Sequence, residues 1–253
     1  DNLAARGVSS TLPLRDTTPS RSFPIVNITL IGINILVFIY QLTLAKHALL
    51  QLVQAFGVVP QHYLSALRGI STEFFLDIGS IHLLLPLVSS MFLHGGWLHI
   101  LGNMLYLWIF GDNVEDSMGH FRYLLFYLLS GTIAGLAHIL TNPTSTVPTI
   151  GASGAIAGVL GAYFILFPRA RVITLVPFGF FLHIIQLPAL IFLGFWFVLQ
   201  FLYGAFALTA VGRAAGGIAW WAHIGGFVAG MVLIFLFQKK RRRPRYQNTF
   251  RPW

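Results

Sequence analysis

A serine flanked by glycines, in Gly151-Ala152-Ser153-Gly154-Ala155-Ile156-Ala157-Gly158, stands at the head of an apolar stretch. Seventy residues later a histidine stands in Ala222-His223-Ile224-Gly225-Gly226. A hydroxyl and an imidazole are the parts of a nucleophile and its general base, provided the fold brings them within hydrogen-bond reach. A third cluster, His94-Gly95-Gly96-Trp97-Leu98-His99-Ile100-Leu101-Gly102-Asn103, sets His99 and Asn103 four apart. On a helix they share one face, from which both side chains can donate hydrogen bonds to a developing oxyanion. His94 is expected to cap or brace the loop before them. Paired histidines also raise metal binding, but the His-Glu-x-x-His pattern of zinc proteases is absent, so no metal and no other cofactor is expected.

The acidic residues narrow the chemistry further. They are Asp1, Asp16, Glu73, Asp77, Asp112, Glu115 and Asp116, and none falls in an apolar stretch beside His223. A Ser-His dyad is therefore a simpler expectation than a Ser-His-Asp triad. Asp112, Glu115 and Asp116 are expected to cap and pair at the far end of their helix, for example with Arg122.

These groups must be positioned by elements built for lipid. The chain is 56% hydrophobic, with a mean hydropathy of +0.76 and only 9% charged residues, which excludes an ordinary soluble globule. The apolar stretches approach the ~20 residues of a spanning helix and lack the alternation of a transmembrane barrel. An all-α, multi-pass membrane protein follows, with six expected spans: 24–45, 97–111, 120–140, 153–167, 187–208 and 218–238. Between the first two lies a long loop that mixes polar and apolar residues, as interfacial helices do. Residues 1–23 are polar and lack the layout of a signal peptide. Residues 239–253 form a basic tail.

Charge orients the bundle. With six spans both termini share a side, and that side collects thirteen of the sixteen Lys and Arg, leaving Lys46, Arg68 and Arg213 opposite. The basic side is cytoplasmic by the positive-inside rule, so the first loop is extracytoplasmic and Ser153 begins its helix near the outer face. The net charge of +9 is accordingly assigned to anionic lipid rather than nucleic acid. Absent cysteine excludes thiolate chemistry and disulfides. Gly154 and Gly158 make one small-residue stripe and Gly226 with Gly230 another, which lets two helices approach closely enough to join Ser153 to His223. Packing alone is the plainer reading of the glycines.

Taken together, the His-x-x-x-x-His-x-x-x-Asn pattern at 94–103, Gly-x-Ser-Gly at 151–154, Ala-His-x-x-Gly-x-x-x-Gly at 222–230 and the span layout resemble the rhomboid family of intramembrane serine proteases. The resemblance covers about residues 24–238, between a cytoplasmic N-terminal segment (1–23) and a cytoplasmic tail (239–253). It implies a six-transmembrane-helix rhomboid bundle in which Ser153 is the nucleophile and His223 the base and acid. His99, Asn103 and the Ser153 backbone N–H would form the oxyanion hole, with His94, Gly151, Gly154, Gly158, Gly226 and Gly230 in support. The partners it implies are transmembrane protein substrates in the lipid bilayer, cut near the outer face. The expected setting is a bacterial inner membrane, with the site opening to the extracytoplasmic side. Two departures stand out: Leu85-Pro86 replaces a common Trp-Arg pair, and Ala157 replaces a Tyr that lies under the histidine, so another aromatic ring is expected to steady His223.

The fifth span carries Phe192, Phe195, Trp196, Phe197, Phe201 and Phe206. Trp196, Phe197 and Phe201 are candidates for a lateral gate, with lipid-facing aromatics the even alternative. Residues 212–217 are the candidate mobile cap. The competing function is a catalytically inactive rhomboid-like protein that holds membrane clients. A transporter would call for intramembrane charges or inverted repeats, and neither is evident in the sequence.

Overall fold

The computed structural model describes residues 12–68, 81–178, 181–209 and 219–239. The expected cap at 212–217, Glu73, Asp77 and the tail from 240 onward lie outside them. The described elements run β1 (Leu12–Asp16), α1 (Ile25–Thr43), α2 (Lys46–Phe56), α3 (Pro60–Arg68), α4 (Ile81–Ser89), α5 (Trp97–Met118), α6 (His120–Thr141), α7 (Ser153–Leu166), β2 (Arg171–Phe178), β3 (Phe181–Pro188), α8 (Ala189–Ala207) and α9 (Trp220–Phe237).

The short helix α7 is the centre of the bundle. Every residue from Gly154 to Tyr163 is buried, as expected of a helix apolar on all sides. Its small residues let two neighbours close in. A Cβ added at Gly226 or Gly230 of α9 would overlap the carbonyl oxygens of Gly154 and Gly158, respectively. On α7 itself, a Cβ at Gly154 would lie 2.7 Å from Ala134 Cβ of α6, and one at Gly158 2.6 Å from Ser130 Oγ. The two expected glycine stripes therefore do different jobs: one seats α9 on α7, the other seats α7 on α6.

Among the described residues, four helices, α1, α6, α8 and α9, are each long and apolar enough to cross a membrane, fewer than the expected six. His82–Phe92 and Trp97–Met118 pass that test only as a pair, bent by 83°. At 14 residues, α7 rises roughly 21 Å against a ~30 Å hydrocarbon core. Its neighbours enclose it, so it has no need to match lipid thickness.

An all-α fold is also incomplete. Residues 171–178 and 181–188, expected as a loop leading into a span, pair as antiparallel strands, and β1 joins them in a sheet of order β1-β2-β3. The sheet lies at the end of the bundle opposite Ser153. There Asp16 Oδ2 accepts from Tyr163 Oη at 2.5 Å and from Asn113 Nδ2 at 3.0 Å. Burial pushes the Asp16 carboxyl above its ordinary range, while the Tyr163 and Thr18 donors pull the other way.

The same end shows what the acidic residues of α5 do. Glu115 is fully buried and accepts from the backbone N–H groups of Val26 and Asn27 at 3.0 and 2.8 Å, with His120 Nδ1 at 2.5 Å. Helix α1 has no side-chain cap of its own, so a carboxylate from another helix satisfies its first donors and meets the positive end of its dipole. Asp116 receives Ser22 Oγ at 2.5 Å. The expected capping is therefore present, but with the N-terminal segment rather than Arg122 as its partner among the described residues. Replacing Glu115 by Ala strands one buried and one partly buried donor, and the expected loss is about 2–4 kcal/mol. It would be read as a lower melting temperature in detergent.

Along α1, Asn27, Asn34 and Gln41 repeat every seven residues and are all buried. Asn27 Nδ2 donates to Leu107 O at 3.0 Å, and Gln41 pairs with the backbone of His94 in both directions. Polar contacts of this kind join helices where lipid leaves no hydrophobic driving force between them.

Candidate active site

Three helix N-termini meet at one end of the bundle, and each brings one of the groups singled out by sequence. Ser153 is the first residue of α7, His99 lies in the first turn of α5, and His223 in the first turn of α9. Ser153 Oγ and His223 Nε2 are 2.8 Å apart. That is within reach for direct proton transfer. The glycine contacts between α9 and α7 produce this distance, because the two backbones are almost in contact one turn below it.

The serine also stands where negative charge is favoured. The first N–H groups of a helix have no partner within it and carry the positive end of its dipole. Here the helix begins with Ser153, so its N–H belongs to that set. The preceding turn is fixed by Gly151, whose N–H donates to Ser90 O at 2.8 Å and whose φ is +127°. A Cβ at Gly151 would be strained by that φ and would lie 2.6 Å from His99 Nε2 and 3.7 Å from Asn103 Nδ2. Both side chains of the expected oxyanion hole thus face the loop that carries the serine.

Their protons point the right way. Gly95 N–H donates to His99 Nδ1 at 3.3 Å, which leaves the ring proton on Nε2, the nitrogen nearer Gly151. Asn103 Nδ2 is buried and has no hydrogen-bond partner among the described residues. Such a donor is costly unless something arrives to accept from it. His94 holds the loop through its backbone pair with Gln41, and its ring meets that of His99 edge to face at 5.1 Å.

A cavity of about 810 Å³ opens over these groups, lined by His99, Asn103, Ser153, Trp196, Gln200 and His223 among others. It is large enough for a peptide side chain and the backbone on either side. A second cavity, about 30 Å³, lies behind the serine against Ser90, Thr149 and Gly151. It has room for water.

The aromatic ring expected beneath His223 is found twice. Trp196 of α8 lies 6.1 Å from the imidazole and Trp220 lies 6.2 Å away, edge to face. Sequence reading missed a more specific neighbour, Gln200, whose Oε1 lies 2.8 Å from His223 Nδ1. The signal was legible: a lone amide among Phe, Trp and Leu in a lipid-embedded helix is worth keeping only if it finds a partner. Of the gate candidates, Phe197 stacks on Phe227 at 4.8 Å and Phe201 meets Trp221 at 6.4 Å. Phe195, Phe201 and Phe206 are half exposed. The fifth span thus has an inward aromatic face and a lipid-ready one.

Comparison with known proteins agrees with the geometry. The family described as Rhomboid domain matches residues 82–240. The chain is 30% identical over 181 residues to Rhomboid protein 1, mitochondrial, of Saccharomyces cerevisiae, covering 66% of this chain and 46% of that one. It is 29% identical over 156 residues to Rhomboid-like protein 11, chloroplastic, of Arabidopsis thaliana, covering 60% and 52%. It is also 29% identical over 168 residues to a Bacillus subtilis relative, covering 62% and 69%. The chain spans between a quarter and about half of the length of the first plant and yeast relatives it matches.

Proposed function

The chain belongs to the rhomboid family, and from that premise we propose that it is an intramembrane serine endopeptidase that cuts transmembrane segments near the outer membrane face. The observation that carries this reading is the 2.8 Å approach of Ser153 Oγ to His223 Nε2 at the floor of the large cavity. Ser153 Oγ attacks the scissile carbonyl carbon while its proton passes to His223 Nε2. The tetrahedral oxyanion is held by the Ser153 N–H, His99 Nε2–H and Asn103 Nδ2. As the C–N bond breaks, His223 gives the proton to the leaving amine. Water, deprotonated by the same imidazole, then attacks the acyl-enzyme and frees the serine.

The location of the site sets the substrate. A spanning helix hides its carbonyls in hydrogen bonds, so the segment must unwind before attack. That favours substrates with small or helix-breaking residues where they meet the cavity. Proteolysis needs water at membrane depth, and a polar cavity at the outer end of the bundle is where the bilayer tolerates it. The excess of Lys and Arg at the opposite end supports an orientation with the site extracytoplasmic. A bacterial inner membrane is the setting we favour.

The oxyanion assignment predicts that Asn103→Ala lowers kcat by about 10²-fold with little change in KM, since the donor acts only as charge develops. Steady-state cleavage in liposomes would check it. We assign substrate admission to α8. Phe197→Ala removes its stacking on Phe227, and the expected result is severalfold faster cleavage of a transmembrane substrate with unchanged reactivity toward a small serine probe.

The test of the function is direct. A tagged single-span substrate is reconstituted with the protein in liposomes, and the fragments are mapped by mass spectrometry. Cleavage inside or at the edge of the span, absent with Ser153→Ala, supports the protease. Intact substrate that copurifies with the folded protein would instead indicate an inactive holder of membrane clients.

A further inference from the structure

The dyad leaves one question open. A bare imidazole in an apolar bundle has two tautomers, and only the one protonated at Nδ1 presents a basic Nε2 to Ser153. The described carboxylates, Asp16, Asp112, Glu115 and Asp116, are engaged at the opposite end of the bundle, so none of them completes a triad. Trp196 and Trp220 restrict the ring by shape, but an indole N–H only donates and accepts nothing from Nδ1–H. One acceptor is in place. Gln200 Oε1 lies 2.8 Å from His223 Nδ1, and the Gln200 side chain, on α8, is 7% exposed.

We propose that Gln200 is the positioning residue of the catalytic base, its Oε1 accepting from His223 Nδ1–H and so holding Nε2 deprotonated toward Ser153. Resting on the protease reading, the assignment makes the working unit Ser153-His223-Gln200, with a neutral amide where many serine hydrolases use a carboxylate. When Ser153 attacks, its proton moves to Nε2 and the Nδ1 proton stays where it is. The amide oxygen then stabilises the imidazolium through a charge-assisted hydrogen bond, accepting no proton itself. Gln200 and Trp196 are four residues apart on one face of α8. The fifth span therefore both borders the cavity and sets the tautomer of the base.

Among the described residues, the titratable groups near enough to act electrostatically on His223 are His99 from α5 and His138 from α6. From α7 it meets Ser153, and from α8 Gln200 and Trp196. With no carboxylate in that set, a charge introduced at position 200 dominates the local field. This gives a readout that a packing role does not move.

The experiment compares wild type, Ser153→Ala, Gln200→Leu and Gln200→Glu in liposomes, with kcat and KM across pH and 15N spectra of labelled histidine. Gln200→Leu is expected to lower kcat about 10- to 100-fold with KM within twofold of wild type. Gln200→Glu restores an acceptor and recovers most of that loss. Its carboxylate favours the imidazolium, so the acid limb of the profile moves up by about one pH unit. The wild-type spectrum shows His223 protonated at Nδ1, and Gln200→Leu shows a tautomer mixture. Wild-type kcat and pH profile in both variants, or a wild-type His223 protonated at Nε2, overturns the proposal. Should Gln200→Leu fail to fold, the Gln200→Glu profile and the wild-type spectrum decide. Absence of any Ser153-dependent cleavage in the wild type removes the protease reading instead, and the tautomer spectrum still settles the positioning claim.

Discussion

Ser153→Ala and His223→Ala are each expected to lower cleavage of a transmembrane substrate by about 10⁴- to 10⁶-fold, and the double variant to be no slower than either. The reason is that the hydroxyl and the imidazole act as one unit. Without Nε2 at 2.8 Å, Ser153 keeps its proton and is a poor nucleophile. Without Ser153, the base has nothing to activate but water. What survives is the stabilisation offered by Asn103, His99 and the end of α7, which acts on any oxyanion formed there. Both substitutions shrink side chains in a lined cavity, so melting temperature should change little. Additive losses in the double variant would mean that the two groups act separately, and that result would break the dyad.

The second large effect comes from a residue that touches no substrate. Gly230→Val is expected to cost about 3 kcal/mol or more and to abolish cleavage together with the fold of the site. A Cβ at position 230 would overlap the carbonyl oxygen, carbon and Cα of Gly158. Backbone cannot rotate away as a long side chain can. Helix α9 must then shift outward by a fraction of a methyl diameter, and His223, two turns along the same helix, moves with it. A 1 Å displacement of a catalytic group is enough to cost about 10²-fold. Gly32, by contrast, has open space at its Cβ position, and Gly32→Ala in the first span should leave both melting and activity near wild type. Thermal melts and liposome cleavage of the two variants separate close packing from a general intolerance of helix glycines.

How much of this was legible in the residues follows from what each signal measures. Ser153 and His223 were legible because each sits among glycines in an apolar stretch, and His99 and Asn103 because their spacing shares a helix face; the structure brings all four to one end of the bundle. Span positions were legible from apolar runs, with α8 and α9 starting within two residues of expectation. The short α7 and the bend between α4 and α5 were not, because hydropathy reports distaste for water and is blind to whether protein or lipid does the covering. The paired strands at 171–178 and 181–188 were missed for a related reason: Val172-Ile173-Thr174-Leu175-Val176 is rich in β-branched residues, and Ile184-Ile185 lie within the second run. Counted as apolar residues they merge with the span that follows. Glu115 was expected to cap, but the residues it caps were not legible, and neither was Gln200, since their partners lie 88 and 23 positions away in the chain.

Whether Ser153 is an activated nucleophile is read by covalent labelling of the purified protein with a fluorophosphonate, followed by mass spectrometry of the adduct. One phosphonylated serine, Ser153, is expected, with labelling lost in Ser153→Ala and in His223→Ala. A folded wild type that resists both the fluorophosphonate and a slower mechanism-based serine inhibitor, or an adduct that persists in His223→Ala at the wild-type rate, would contradict it.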